Sequence, residues 1–502
     1  MQRVDGVLRK ILFILLGLIS IYWLYWSVRY MFTDVFPIMS RALFLSVITV
    51  LIIIGFIFYT PLKALMIRTS KFLYTYRYWV IGILFVIQVI VSLFAQAIAN
   101  GDATVLYKVA TNTPLGGAGV AKYFSVNSNN FLIAVFFKMI NRLVTAKYTM
   151  LAVSILNAVF IDVGILLLTS LSKQLKDEKL AQIVFLESFF LFGLQPQFLY
   201  FYSDPITFFL MSLLCYLVIK NRERSGFIRW FIIGVIFSIA YQVRMPVFVY
   251  LIALVVVYIY QLIFSNAIKN FKKTAVKSLF VVMGIVAMSA GVEYYAQHQH
   301  FAEYDKKYTR SLLYYVDLGL TDTGSNHYAL PQNILYPETA EKFATKADLA
   351  PQIKADIKKR LSEYGLSGLI RHQSTKFKLF VQDGSLGWTV ERVLQEPNVI
   401  PTKLTKSKLG QKIRDIVYVG RPYYANYALY MQFVWIIVVF GLVKYFKKYK
   451  HVSDTELVLQ LVLFGGILFL SLFEAGRSRY LIQFLPAIIL LSSFGYQKKK
   501  ID

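Results

Sequence analysis

Two carboxylates lie in short polar motifs that interrupt an otherwise apolar sequence. Asp102 follows Asn-Gly in NGDATVLY, and Asp204 precedes a proline in FYSDP. A positioned carboxylate can take the proton of an attacking hydroxyl group. Both residues also have structural alternatives, since Asp after Asn-Gly is a common turn residue and Asp before Pro is a common helix N-cap. The residue types alone leave both interpretations open.

Arginines supply the second type of chemistry. Arg244 lies in YQVRMP, and FEAGRSRY contains Glu474, Arg477, Arg479 and Tyr480. The planar guanidinium group pairs bidentately with phosphate oxygens, so these motifs are typical of a phosphate-binding site. The alternatives are arginines that extend to the membrane surface from helix ends, an ion pair with Glu474, and an interfacial role for Tyr480.

The composition indicates a polytopic membrane protein. The 502 residues are 57% hydrophobic and 16% charged, with a mean hydropathy of +0.56. The net charge of +27 arises from Lys and Arg in short clusters between apolar stretches. This pattern is typical of cytoplasmic loops under the positive-inside rule, and it argues against nucleic acid as a partner. The single cysteine, Cys215, excludes an intrachain disulfide.

Helix-length apolar stretches predict a mostly α-helical fold with about twelve spans, each needing roughly 20 residues. Residues 11–32 are expected to be a retained first span rather than a cleaved signal, because no small-residue cleavage site follows. The predicted spans are 11–32, 41–60, 78–98, 148–171, 181–199, 205–220, 228–242, 247–264, 279–296, 427–444, 455–474 and 480–496.

The loop charges predict the topology. Basic connections at 63–77, 173–179, 220–229, 269–277 and 444–450 fall on one side only if residues 129–144 do not cross the membrane. That stretch is short and polar on one face, so we expect an amphipathic helix on the outer surface. Both termini are then cytoplasmic and all the polar motifs lie outside. Arginines on that side oppose the positive-inside bias, which favours a functional role for Arg477 or Arg479.

The predicted organisation has three parts. Residues 1–296 form an N-terminal membrane module with a large outer loop at 99–147, residues 297–426 form an extracytoplasmic domain, and residues 427–502 form the C-terminal spans. The 130-residue middle part has the size of an independent fold. Within it, AEKFATKADLAPQIKADIKKRLSEYG predicts one or two amphipathic helices that end at Gly365.

The order of the motifs resembles the GT-C glycosyltransferases, polytopic enzymes that use polyprenyl-phosphate-linked sugars. They include protein O-mannosyltransferases and the aminoarabinose transferase of lipid A. The resemblance rests on an acid in the first outer loop, Y-x-x-x-x-x-N-N from Tyr123 to Asn130, then S-D-P, an outer Arg-x-Pro, and E-x-x-R-x-R-Y. It covers the membrane-spanning part of the chain.

The resemblance implies roles for the motif residues. Asp102 would be the catalytic base, Asp204 would orient the acceptor or help bind a metal ion, and Arg244, Arg477 and Arg479 would bind the donor phosphate. Supporting roles fall to Glu474 and Tyr480. The resemblance establishes no cofactor, and a divalent metal ion, Mg²⁺ or Mn²⁺, stays open.

The sequence also departs from the family pattern. Gly101-Asp102-Ala103 supplies one acidic residue where relatives often have two, and Asn127-Ser128-Asn129 replaces Tyr-Pro-Pro or Tyr-Pro-Asn. The WWDYG signature of oligosaccharyltransferases is absent, and GSLGW at 384–388 does not replace it. Transfer of a preassembled oligosaccharide to protein is therefore disfavoured.

Four other polar residues have a weaker claim to function. Asp162 and Glu187 lie within predicted spans, where charges are costly, and hydrogen bonds between helices are the favoured explanation. His298 and His300 lack an evident third metal ligand.

We expect an inverting sugar transferase in the cell membrane. Its partners would be a polyprenyl-phosphate-linked sugar donor, a cell-envelope glycan or teichoic-acid-like acceptor, and the lipid bilayer. The alternatives are a transporter or flippase of lipid-linked sugars and a non-catalytic accessory subunit of an envelope polysaccharide synthase. Transporters usually have inverted repeats and polar residues at the membrane midplane, whereas these motifs concentrate at the predicted outer surface.

Overall fold

The computed structural model describes residues 2–38, 46, 49–50, 59–114, 122–223, 226–264, 271–321, 330, 344–447 and 452–497. Within these ranges the chain is helical, and its only β pairing is an isolated bridge between Ala97 and Val399. The α-helices are α1 Gln2–Tyr30, α2 Tyr59–Thr75, α3 Arg77–Phe94, α4 Asp102–Ala110, α5 Tyr123–Val126, α6 Phe131–Val144, α7 Ala146–Leu175, α8 Glu178–Ser188, α9 Asp204–Asn221, α10 Phe227–Val243, α11 Phe248–Phe264, α12 Phe271–His298, α13 Leu312–Gly319, α14 Lys346–Val381, α15 Trp388–Glu391, α16 Lys408–Val417, α17 Tyr424–Phe446, α18 Asp454–Phe473 and α19 Leu485–Tyr496.

Nine helical segments of the described chain are long and apolar enough to cross a membrane. They are Gly6–Val35, Arg77–Phe94, Ala146–Leu175, Asp204–Asn221, Met245–Phe264, Phe271–His298, Tyr424–Phe446, Asp454–Phe473 and Ser478–Tyr496. Helix α10 is apolar but shorter, and α8 continues as a π-helix at Phe189–Gly193. The predicted span 41–60 lies largely outside the described residues, so the number twelve stays a prediction.

The ends of the long helices fall into two groups. At one end, here called the basic end, Arg9 pairs with Asp454 at 3.1 Å and Lys277 donates to the carbonyl of Arg222 at 2.5 Å. Helix α9 connects the two ends of the bundle. It ends beside Arg222 at the basic end and begins at Asp204, which pairs with Arg244 after α10. We call this opposite end the site end. The basic connections and the polar motifs are therefore separated by the length of the helices.

Helices α10 and α12 pack with their backbones in close approach. A Cβ atom on Gly234 would lie 2.1 Å from the Val281 carbonyl oxygen, and one on Gly284 would lie 2.2 Å from that of Phe231. Neither position has room for a side chain. Such contacts between small residues drive helix association in a membrane, because apolar side chains gain little from exchanging lipid contacts for contacts with another helix.

Helix α6 confirms that the chain forms a short amphipathic helix here. Its 14 residues would span only about 21 Å, too short for the hydrocarbon layer. The polar side carries Lys138, which donates to Asn112 at 2.5 Å. The apolar side is buried through Phe131, Ile133, Ala134, Phe137 and Ile140. Its position relative to the two membrane faces stays a prediction.

The segment 297–426 is divided between two cores. A small cluster contains Tyr314, Leu318 and Leu349, whereas Trp388 and Tyr418 belong to the main core of the bundle. The second half of the segment is therefore part of the bundle's own packing. The predicted domain boundaries stay predictions.

Gly365 ends the first half of α14, as the sequence predicts. Its φ of +53° is the left-handed conformation that favours glycine. The chain then continues directly into a second helical half that reaches Val381. A capping box at Thr345 and Asp348 fixes the start of the helix.

Candidate functional site

Asp204 is the centre of the polar cluster at the site end. It is 2% exposed, and its Oδ1 accepts from Arg244 Nη2 at 2.9 Å. Arg479 Nε lies 3.9 Å from the same oxygen. Ser203, rather than Asp204, is the N-cap of α9, and it makes no side-chain capping bond. The N-cap alternative for Asp204 is therefore wrong, and its carboxylate holds two arginines from distant parts of the chain.

Glu391 is the second carboxylate of the cluster. It is the last residue of the four-residue helix α15, and its Oε2 forms an ion pair with Arg479 Nη1 at 2.8 Å. Arg477 Nη1 lies 3.8 Å from the same oxygen. No ion pair links Glu474 to either arginine among the described residues, so the alternative of a salt bridge with Glu474 is wrong. Sequence reasoning missed Glu391, because no motif marks it.

The loop before α15 has a conformation that brings Glu391 to Arg479. Gly387 adopts φ +86°, and a Cβ atom there would lie 2.8 Å from the Cβ of Arg479. Asp383 organises this loop by accepting from the backbone N–H of Ser385 at 2.9 Å and of Gly387 at 3.1 Å. It also accepts from the Ser478 hydroxyl at 2.9 Å, which joins the loop to the FEAGRSRY motif.

Three tyrosines surround the buried guanidinium of Arg479. Its Cζ lies 5.3 Å from the ring of Tyr200, 5.1 Å from Tyr202 and 5.7 Å from Tyr480. Arg244 contacts the rings of Tyr202 and Tyr480 at 5.1 and 5.7 Å. These cation–π contacts hold the two arginines in fixed positions. Tyr480 was predicted as a supporting residue, whereas Tyr200 and Tyr202 were missed although they immediately precede Ser-Asp-Pro.

Asp102 lies at the edge of this cluster and is exposed at the first turn of α4. The Tyr202 hydroxyl donates to Asp102 Oδ2 at 3.2 Å. Burial strongly raises the pKa of Tyr202, so this hydroxyl keeps its proton and stays a donor. The ring of Tyr202 therefore contacts the arginines while its hydroxyl positions the carboxylate of Asp102.

Glu474 follows α18 and lies within electrostatic range of the three arginines. Burial raises its pKa to about 7, although Arg244, Arg477 and Arg479 act in the opposite direction. Lys376 also acts on it, and burial lowers the pKa of Lys376 to about 8. Lys376 donates to the carbonyls of Gly319 and Ser471 at 2.9 and 2.6 Å. Glu474 is thus the group of the cluster that can change charge near neutral pH.

Arg477 and Arg479 lie beyond the helix of the preceding span, because α18 ends at Phe473. Arg477 has extended backbone angles, and Arg479 lies in the following 3₁₀ helix, Ser478–Phe484. Their side chains also differ in exposure, which is 29% for Arg477 and 6% for Arg479. Arg477 is therefore the accessible arginine of the pair.

The acidic residues within the helices make contacts away from this cluster. Gln88 lies 3.4 Å from Asp162, and Ser492 and Ser493 donate to Glu187 at 2.8 and 2.9 Å. These are contacts between helices, in agreement with the sequence-based interpretation.

The side chains around Asp204 do not fit a metal ion. Two guanidinium groups already lie at its carboxylate, and they would repel a divalent cation. In the part of the chain that the structure describes, no group of three or more His, Cys, Asp or Glu side chains could hold a metal ion. His298 hydrogen-bonds the carbonyl of Tyr294 instead.

Two surface cavities lie far from the cluster. A cavity of about 320 Å³ is lined by Gln174, Ile219 and Arg222, and one of about 300 Å³ by Phe227 and Lys273. The first is at the basic end, because Arg222 and Asp204 stand at opposite ends of α9. The second is beside it, because Lys277, which also lines it, donates to the carbonyl of Arg222.

The apolar helices and their polar cluster define a polytopic α-helical membrane protein. Residues 2–500 match a family model described as conserved hypothetical integral membrane protein, and the chain belongs to that family. No curated protein matches the chain. The family description states integration in a membrane and no activity.

Proposed function

We propose that this protein is a GT-C-type glycosyltransferase that moves a sugar from a polyprenyl-phosphate donor to a cell-envelope glycan or teichoic-acid-like acceptor. The proposal is supported above all by one observation: Tyr202 connects Asp102 to Arg244 and Arg479 at one end of the bundle. An accessible carboxylate beside an arginine cluster fits acid–base chemistry next to a phosphate.

In the proposed reaction the acceptor hydroxyl attacks C1 of the sugar. The new C1–O bond forms as the bond from C1 to the phosphate oxygen breaks, and that oxygen leaves with the electron pair. Asp102 takes the hydroxyl proton. The Tyr202 hydroxyl keeps the Asp102 carboxylate oriented by donating to its Oδ2. Attack opposite the leaving phosphate inverts the configuration at C1.

The leaving phosphate develops negative charge, which the arginines stabilise. Arg477 is the arginine we assign to this role, because its side chain is 29% exposed while Arg479 is 6% exposed and paired with Glu391. Arg244 stands between them in exposure, at 14%. Arg244 and Arg479 support Arg477 through their positive charge.

The proposed active site faces the outside of the cell, with both termini cytoplasmic. The argument is the concentration of Lys and Arg at the basic end, opposite Asp204 along α9. Single cysteines at Lys176 and at Lys307, in a Cys215→Ser background, test it. An impermeant maleimide should label the cysteine at 307 in intact cells and spare the one at 176. Labelling of 176 alone would reverse the orientation.

The activity is tested with purified protein in nanodiscs and a panel of farnesyl-phosphate sugars. With isolated envelope polymer as acceptor, we expect release of farnesyl phosphate and sugar on the polymer. Wild-type protein that binds these lipids but transfers no sugar, and instead moves them across liposome membranes, would identify a transporter. Binding without either result would favour an accessory subunit.

A further inference from the structure

In both Asp204 and Glu391, one carboxylate oxygen contacts two arginines and the other has no hydrogen-bond partner. Oδ1 of Asp204 faces both Arg244 and Arg479, and Oε2 of Glu391 faces both Arg479 and Arg477. The other oxygen of each, Asp204 Oδ2 and Glu391 Oε1, is buried and accepts no hydrogen bond in the protein. A buried acceptor without a donor is costly, so both positions call for a hydrogen-bond donor.

The chemistry around these oxygens selects the kind of donor. The phosphate of a diester carries no proton to donate near neutral pH, and a carboxylate repels it. An added cation would meet three arginines. Arg479 Nε, which also has no hydrogen-bond acceptor, lies 3.9 Å from Asp204 Oδ1. A hydroxyl group suits both kinds of unpaired atom, since it can accept from Arg479 Nε and donate to a carboxylate oxygen.

The exposure of the side chains indicates how a ligand lies in the cluster. Arg477 is 29% exposed, Glu391 is 15% exposed, and Asp204 is 2% exposed. The ion pairs follow the same order, from Arg477 to Glu391, then to Arg479 and Asp204. A ligand with its phosphate at Arg477 would direct its attached group past Glu391 towards Asp204.

We propose that Glu391 Oε1 and Asp204 Oδ2 form a saccharide subsite that binds hydroxyl groups of the transferred sugar. The inference rests on the proposed function and deepens it, because Glu391 becomes a specificity residue beside the phosphate-binding Arg477. The hydrogen bonds here are made to charged acceptors, so each is worth roughly tenfold or more in affinity.

The test compares two probes on purified full-length protein: farnesyl phosphate esterified to methanol, and farnesyl phosphate esterified to a monosaccharide. Both are singly charged diesters, so their affinity ratio measures the contribution of the sugar. We expect wild type to bind at least one sugar-bearing probe about tenfold more tightly than the methyl diester. Glu391→Gln and Asp204→Asn should each remove most of that preference.

The substitutions should not weaken binding of the methyl diester, which has no sugar to lose. Neutralising Glu391 makes the cluster more positive, so the methyl diester should bind as well as before or better. Glu396→Gln is the matched control, because Glu396 pairs with Arg414 at 2.8 Å outside the cluster and should leave both affinities unchanged. All affinities are measured below the unfolding transition of each variant, and retained binding of the methyl diester shows that the variant is folded.

The failures of the two proposals are distinguishable. If wild type binds neither diester, the proposed function fails. If it binds both equally for every sugar tested, or if Glu391→Gln and Asp204→Asn keep the preference, the subsite is refuted while phosphate binding stands. Equal binding is also the result expected if only water occupies the positions beside the two oxygens.

Discussion

Two buried acid–arginine clusters in this protein have opposite charge balance. At the site end, Asp204 and Glu391 are paired with three arginines. In the segment 297–426, Asp317 and Asp356 share Arg360, at 3.3 and 2.9 Å. Among the ion-paired groups, the site end has three arginines for two carboxylates, and this excess of positive charge is largest when the nearby Glu474 is protonated. The second cluster has two carboxylates for one arginine.

The difference determines what each cluster can bind. The cation excess at the site end favours an added anion such as a phosphate. The acidic cluster favours an added proton: burial and the neighbouring Asp356 raise the pKa of Asp317 to about 7. The same two residue types therefore produce an anion site in one place and a proton-binding pair in the other.

The largest effect is expected from Asp102→Asn. The substitution keeps the shape of the side chain and removes the proton acceptor, which is worth about 10² to 10⁴ in rate. Transfer from a farnesyl-phosphate sugar should fall by that factor while donor affinity is retained. Asp356→Asn, in the acidic cluster, is the control and should leave turnover unchanged. Near wild-type turnover of the Asp102 variant would eliminate it as the base.

Substitution of the two arginines of FEAGRSRY should have different effects, one on stability and the other on ligand binding. Arg479→Gln removes the shared partner of Asp204 and Glu391 and should lower the free energy of unfolding by about 3 kcal/mol. Arg477→Gln, at the accessible edge, should barely change thermal unfolding but should weaken binding of farnesyl phosphate diesters. Even Arg477→Lys should impair this binding, because a point charge lacks the bidentate geometry. Equal thermal stability of both Gln variants would contradict the assignment.

A smaller effect is expected from pH at the site end. The pKa of Glu474 is raised to about 7, so its negative charge disappears as the pH falls below that value. Lys376, with its pKa lowered to about 8, gains charge in the same direction. Binding of a farnesyl phosphate diester should tighten severalfold from about pH 8 to about pH 6. Glu474→Gln should bind tightly with much less pH dependence, and Glu396→Gln should behave as wild type.

The smallest effect concerns the acidic cluster and stability. The pKa of Asp317 is raised in the folded protein, so protonated Asp317 stabilises the folded state. This contribution to the free energy of unfolding is fully present below the ordinary pKa of an aspartate and is lost as the pH rises through about 7. Thermal unfolding temperature should therefore decline between about pH 5 and about pH 8. Asp317→Asn should flatten this decline and leave donor binding unaltered. An identical pH profile in the variant would show that Asp317 does not titrate in this range.

The sequence by itself determined the membrane class, most of the long helices and the short amphipathic helix α6. These features depend on local hydropathy and periodicity, which a chain carries wherever its segments later pack. Gly365 belongs with them, because a glycine at the end of an amphipathic pattern is a local signal. The acidic and arginine motifs were likewise visible, since charged residues stand out between long apolar stretches.

Only the tertiary structure decided which charges meet. Arg479 pairs with Glu391 rather than with Glu474, five residues away in the chain. Glu391 reaches it because a buried Asp383 and a left-handed Gly387 fold the preceding loop against the FEAGRSRY motif. Ion pairing depends on distance in space and on burial, neither of which a sequence pattern encodes for residues on separate helices. For this reason the motifs predicted the members of the cluster better than the partner of each one.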